Sequence, residues 1–279
     1  MIWLPASVVG AGAFGAGNFL GGRASRQGLS PVGTAFVSHC FGLIALTILY
    51  FAVAGGGPLP WMWGVLGGCA SGIATVLLYR SLRLGPMSVN APVVAAVSIL
   101  AATVAGLWSG QGLTVLATGG LVLAIVAIFA VSQASAGTAD QRRYAGLMEA
   151  LGAGVGFGVF SISLSHTAGF GAIPSLLVVR ATSALLLGAI ALATLHQVSA
   201  SRYVRAGSPI GVLELIGNML LAVALSVGNL PIIQAVFSLN PVVTASLARI
   251  VYRERLTRMQ MVGAFAAFLA IPLLALGGS

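Results

Sequence analysis

The chain has 279 residues, 58% of them hydrophobic and 6% charged, and thirteen Arg against four acidic residues give a formal net charge of +9. A soluble domain carries about 25% charged residues, so this composition excludes a soluble enzyme or binding module. A mean hydropathy of +1.06 makes lipid the solvent, so the bilayer is the expected partner and the basic excess is not a nucleic-acid footprint.

About 20 residues cross a bilayer. Apolar runs of that length lie near 3–21, 34–54, 60–79, 87–108, 113–132, 144–163, 172–195, 209–227, 230–250 and 259–276. Only helices and closed barrels satisfy the backbone in lipid, and these runs are too long and too continuously apolar for barrel strands. The sequence therefore predicts an all-α integral membrane protein of ten transmembrane helices. The first run lacks the positive segment that opens a signal peptide; Arg23 and Arg26 follow it instead. Arg80 and Arg83 follow the third run, and Arg142 and Arg143 separate the fifth from the sixth. Arg202 and Arg205 follow the seventh, and Arg253, Arg255 and Arg258 precede the tenth. All eleven of these Arg fall in odd-numbered loops. The positive-inside rule then predicts cytoplasmic odd loops and both termini outside, in a multi-pass protein of the bacterial inner membrane. Trp3, Trp61, Trp63 and Trp108 stand near run ends, the interfacial belt position. Cys40 and Cys69 lie within apolar runs and make no disulfide framework.

A shift of 143 residues superposes several landmarks. Pro31 falls on Pro174, Gly85 on Gly228, Leu113-Thr114 on Leu256-Thr257 and Gly120 on Gly263, all at run ends. This predicts two five-helix repeats, 1–136 and 144–279, joined by a cytoplasmic linker over 137–143. An odd number of spans per repeat inverts the second half in the membrane, which is the architecture of secondary transporters with a site at the midplane.

The segment from Asn240-Pro241 to Gly263 reads NPVVTASLARIVYRERLTRMQMVG. Glu254, Arg255, Leu256 and Thr257, followed by Gln260 and Gly263, resemble the end-of-repeat signature of the drug/metabolite transporter superfamily, EamA type. Pro174 with Arg180 six residues on resembles the start of the second helix of that family's repeat. The first half is a weaker copy, with Gln111 where Glu254 stands and Ser98 where Pro241 stands. The resemblance implies metabolite, amino-acid or drug transport by alternating access, with the YddG-type amino-acid exporters as the nearest relatives.

Ionisable groups at depth are costly and mark candidate sites. Arg180 lies eight residues into the seventh run, about 12 Å deep at 1.5 Å per residue. It serves either as a carboxylate-binding group for an amino-acid-like substrate or as a structural cation. Glu149 and Glu214 stand about five residues inside the Arg-bearing ends of their runs. They either couple proton movement to transport or neutralise Arg142, Arg143 and Arg205. His39, five residues into the second run, is a packing residue or a substrate or proton ligand; His166 and His196 fall near loops. Tyr79, Asn90, Asn218, Gln234, Ser238 and Asn240 lie on spans that, by the resemblance, line the central cavity. There they would hold the polar ends of a substrate, or else bond helix to helix. Small residues spaced by four (Gly17 and Gly21; Gly64, Gly68 and Gly72; Gly152 and Gly156) predict close helix approach, for static packing or for rocking.

No enzyme is expected. His-Glu-x-x-His is absent, Asp140 is the one Asp, and without Lys there is no phosphate-binding loop. No metal or cofactor is expected either. The reading is a secondary transporter, monomeric or homodimeric, that exports amino acids or related small solutes through one central cavity. The alternatives are a sugar-phosphate, nucleotide-sugar or drug antiporter and, in another class, a non-transporting membrane scaffold.

Overall fold

The protein is described here by a computed structural model covering residues 2–53, 57–133, 145–194, 200–252 and 258–277. These residues form eleven α-helices and no strand. They are α1 (Trp3–Arg26), α2 (Pro31–Ala52), α3 (Trp61–Leu84), α4 (Met87–Trp108), α5 (Val115–Gln133), α6 (Leu147–His166), α7 (Ala172–Thr194), α8 (Ala200–Leu225), α9 (Leu230–Phe237), α10 (Asn240–Tyr252) and α11 (Arg258–Gly277). A short 3₁₀ turn, Ala168–Phe170, joins α6 to α7.

Among the described residues, seven helical stretches are long and apolar enough to cross a membrane. They lie in α2, α3, α4, α6, α7 and α8 and across α9–α10. Large apolar side chains such as Leu185, Leu192, Phe51 and Ile250 point outward, as a protein solvated by lipid requires. The linker 137–143, with Arg142 and Arg143, lies outside the described residues, as do Arg253, Glu254, Arg255 and His196.

Several expected boundaries shift; α1 runs on to Arg26 and α3 to Leu84, so Arg23, Arg26, Arg80 and Arg83 lie in helix ends, not in loops. The eighth helix begins at Ala200, not near 209. Its first two turns are amphipathic: Arg202 and Arg205 are exposed and Tyr203 is buried, so an apolar run alone missed them. The expected ninth span is broken at Ser238-Leu239 into α9 and α10. Pro241 causes the break, because it has no N–H for the Phe237 carbonyl four residues back. The Asn240 side-chain amide donates to that carbonyl instead, at 3.0 Å.

Close packing follows the glycines. Gly64, Gly68 and Gly72 all face α7, meeting Val178, Val179 and Thr182, and Ser183 in turn. On α6, Gly152 and Gly156 face α3, whereas Gly154 and Gly158 face α4. α1 crosses α8 where Gly10 and Gly217 oppose each other. The largest helix contacts are α5 with α11, α3 with α6, α1 with α8, α4 with α6 and α2 with α7. Each joins the N-terminal half of the chain to the C-terminal half, so the halves interlock rather than form two lobes.

One end of the bundle carries the basic side chains. Arg26 at the end of α1 donates to the Leu82 and Gly85 carbonyls at the end of α3. Asn90, near the start of α4, donates to the Ser81 and Ala145 carbonyls. Tyr203 on α8 accepts the Ser30 N–H. Gly146 sits where only glycine fits: its φ is +78°, and an added Cβ would meet the Ser81 carbonyl at 2.8 Å.

Candidate functional site

Two buried polar groupings occupy the middle of the bundle. The first is a cavity among α1, α3, α4, α6, α8, α9 and α10. Its walls are Phe14, Phe157, Phe160 and Phe237 with Leu78 and Leu221, and its polar groups are Asn18, Ser98, Ser161, Gln234, Ser238 and Asn240. The aromatic rings interlock: Phe14 lies edge-on to Phe157 at 5.6 Å and tilted to Phe237 at 5.3 Å. The break between α9 and α10 puts Gln234, Ser238 and Asn240 at this wall. The Gln234 amide nitrogen donates to Ser98 Oγ at 3.2 Å and Ser238 Oγ at 3.0 Å, and Asn18 donates to Asn240 Oδ1 at 3.3 Å. Gln234 Oε1 and Asn18 Oδ1 have no protein partner. No ionisable side chain lines the cavity. Its free space is only ≈ 20 Å³, room for one or two waters.

At the end opposite the Arg side chains a separate vestibule of ≈ 250 Å³ opens between the ends of α4, α6 and α8 and the start of α9. Gln111, Ser109, Ser165 and His166 line it. His166 stacks on Trp63 at 4.1 Å, and Gln111 Oε1 caps α9 by accepting the Leu230 N–H at 3.0 Å.

The second grouping is ionic and lies between α2, α3, α7 and α8. Glu214 is at its centre. It accepts the Tyr79 hydroxyl at 2.6 Å and the Ser38 hydroxyl at 3.3 Å. Glu214 Oε2 also lies 3.6 Å from the Arg180 guanidinium and 3.7 Å from His39 Nε2. All four of these titratable residues are at most 2% exposed. Gly17 on α1 lies against the Glu214 side chain, and Gly42 on α2 leaves room for Arg180.

The sequence-selected residues thus divide. Gln234, Ser238 and Asn240 meet at the cavity. Arg180, His39, Tyr79 and Glu214 meet in the ionic cluster. Arg180, read as either a substrate-carboxylate ligand or a structural cation, faces the Glu214 carboxylate of the chain itself. Glu214, expected five residues from the Arg-bearing end beside Arg205, stands at mid-depth, because α8 starts nine residues earlier than its apolar run. Glu149, expected beside Arg142 and Arg143, pairs with Arg80 at 3.1 Å on the surface. Asn90 ties α4 to the α3 and α6 ends, away from the cavity. Asn218, one turn beyond Glu214, is buried with its Oδ1 unpartnered. Sequence reasoning missed Asn18, Ser161 and the four Phe residues of the wall. An Asn in an apolar run was the signal available for the first; a Phe in such a run carries none.

Residues 144–276 match the model of the EamA-like transporter family. Among curated proteins, none matches this sequence. A solved structure described only as "Crystal structure of protein" has the same fold, with a TM-score of 0.75 and 16% identity over 98% of each chain.

Proposed function

We propose that the chain is a secondary transporter that moves small amphiphilic organic solutes across a membrane through the Phe-lined cavity, amino acids and related amines foremost. The observation that carries this reading is the cavity beside the broken α9–α10 helix. Irregular backbone at membrane depth is tolerated where it lines a cavity, and such breaks mark transporter sites. The EamA-like match over 144–276 supports transport as the activity. The unpartnered oxygens of Gln234 and Asn18 are acceptors suited to an ammonium group, and the Phe rings offer apolar cover and cation–π attraction. A sugar-phosphate or nucleotide-sugar reading is disfavoured: a dianion needs cations, and no Arg lines the cavity. A neutral drug fits the same walls less specifically.

The chain works as ten spans in two inverted repeats, 1–136 and 144–279, with α9 and α10 together as the ninth span. Helix pairing supports this. Advancing each helix by five spans turns the α3–α6 contact into α8–α1 and the α4–α6 contact into α10–α1, and both members of each pair are present. The Arg-bearing end faces the cytoplasm of a bacterial cell, and both termini lie outside. The ≈ 20 Å³ of free space makes this an occluded arrangement, so alternating access requires the Phe walls to part. Protein purified and reconstituted in liposomes tests the reading. Counterflow of an amino acid is expected. In Gln234→Ala, apparent affinity is expected to fall about tenfold, the equivalent of one hydrogen bond. No flux of any amino acid, drug or sugar-phosphate would leave the scaffold reading standing instead.

A further inference from the structure

The break between α9 and α10 settles the hydrogen-bonding sense of a side chain on α1. Pro241 brings no N–H to the Phe237 carbonyl. The Asn240 amide fills that place at 3.0 Å, and because a carbonyl only accepts, the atom that faces it is Nδ2. Asn240 therefore turns Oδ1 the other way. Asn18 meets that oxygen at 3.3 Å, so Asn18 must approach with its own nitrogen, and its Oδ1 is left over. Neither amide can turn over without setting two acceptors against each other, and no rotatable hydroxyl enters the chain of bonds. Asn18 is 4% exposed, its Oδ1 has no protein partner, and it lines the Phe-walled cavity. Gln234 differs. Its amide nitrogen meets only the Ser98 and Ser238 hydroxyls, which donate or accept equally well, so its orientation is not fixed in the same way.

A buried acceptor without a donor is costly. We infer that Asn18 Oδ1 is the amine subsite of the cavity: it accepts an N–H of the solute's ammonium group, and Asn18 selects solutes that carry one. This deepens the transport reading and rests on it for the solute's passage. The surroundings agree. Asn18 and Phe14 stand four residues apart, on one face of α1, and Phe14 contacts the Phe157 and Phe237 rings. An ammonium group on Asn18 thus lies close to aromatic rings, which attract a cation, and the same rings cover the solute's apolar body. No ionisable side chain lines the cavity, so the positive head meets no like charge. The free space of ≈ 20 Å³ admits a water-sized head group; the body requires the Phe walls to part. A donor on Oδ1 also polarises the Asn18 amide and strengthens its own donation to Asn240, so the bound amine tightens α1 against the start of α10.

The test measures binding, not flux. Phenethylamine and its N-methyl, N,N-dimethyl and N,N,N-trimethyl derivatives share one ring and, near neutral pH, one positive charge, but only the trimethyl compound lacks an N–H. Their affinities for the purified protein in lipid nanodiscs are read by isothermal titration calorimetry. One N–H suffices for Asn18 Oδ1, so the step is expected between the dimethyl and trimethyl compounds. Its size should be about tenfold or more, the worth of one charge-assisted hydrogen bond. In Asn18→Leu the step is expected to shrink about tenfold while the trimethyl compound binds as before; differences in size among the compounds cancel between the two proteins. Asn18→Ala gives the same reading should the leucine variant fail to fold. Gln234→Ala is expected to keep the step even where every compound binds more weakly. Equal affinities across the series in the parent protein, or no saturable binding of any member, overturns the subsite. A full step that survives in Asn18→Leu assigns the amine to another acceptor and overturns the role of Asn18. The expected step without solute flux in liposomes fails the transport reading and leaves the subsite standing, whereas flux without the step does the reverse.

Discussion

Glu214 and Arg180 stabilise each other in a place where either alone would be costly. Breaking a buried pair by removing one partner costs about 3–5 kcal/mol, whereas replacing both by apolar groups of similar volume is often neutral. Glu214→Gln and Arg180→Met are therefore each expected to lower the unfolding temperature of the purified protein sharply. The Glu214→Leu, Arg180→Met double variant should recover most of the loss. Thermal unfolding in detergent reads this cycle, and counterflow read on the recovered double variant separates stability from function. A stable double variant that still transports at the parental rate would make the cluster purely structural. Tyr79→Phe removes one charge-assisted hydrogen bond of 2.6 Å, with an expected cost of about 1.5–3 kcal/mol. Arg180 was legible in the sequence because a cation eight residues into an apolar run must find an acid or a wet cavity. Its partner was not. Glu214 looked peripheral because Arg202, Arg205 and Pro209 hid the first turns of α8, and a sequence shows depth only from a boundary that is correctly placed. His39 was visible as an oddity, but only the packing of α2 against α7 and α8 gives it Ser183 and Glu214.

At the scale of elements, small residues set how near the helices come. Gly12 and Gly15 lie three residues apart on α1 yet predict opposite outcomes. A Cβ at Gly15 would overlap the Asn240 carbonyl and meet Val243 Cβ at 3.0 Å, whereas one at Gly12 finds nothing within 4 Å. The Asn240 carbonyl is backbone at the α9–α10 break and cannot swing away. Gly15→Ala is therefore expected to push α10 off α1, costing about 1–3 kcal/mol as overpacking does, and to disturb the cavity wall that Asn240 completes. Gly12→Ala should leave melting temperature and counterflow unchanged. Equal effects from the two would mean that close approach of α1 to α10 is unimportant. The four-residue glycine spacing was readable from the sequence; its partners were not, since α6 uses one glycine pair against α3 and the other against α4. The α9–α10 break had its signal too, in Asn240-Pro241. An apolar run of spanning length concealed it, because hydropathy is blind to a missing backbone N–H.

The described residues make the two ends of the molecule unlike: one carries Arg side chains and the other a vestibule. At the Arg-bearing end, α1, α2, α3, α4 and α8 are tied by hydrogen bonds from Arg26, Asn90 and Ser30 to carbonyls or hydroxyls of neighbouring segments. At the other end a vestibule of ≈ 250 Å³ opens, where Gln111, Asn229 and Thr114 tie neighbouring segments. Under the proposed alternating access, inverted repeats exchange such an asymmetry between their ends during a cycle. In the proposed topology the positive loops stay in the cytoplasm and the vestibule lies outside. In intact bacterial cells carrying the Cys40→Ala, Cys69→Ala background, Ser165→Cys in the vestibule should therefore react with a membrane-impermeant thiol reagent. Arg83→Cys, exposed at the opposite end, should react only after permeabilisation. Reaction of Arg83→Cys in intact cells would invert the topology. Protection of Ser165→Cys in both preparations would instead mean that the vestibule is closed in the membrane. The two failures are distinct because one concerns the orientation of the bundle and the other its conformation.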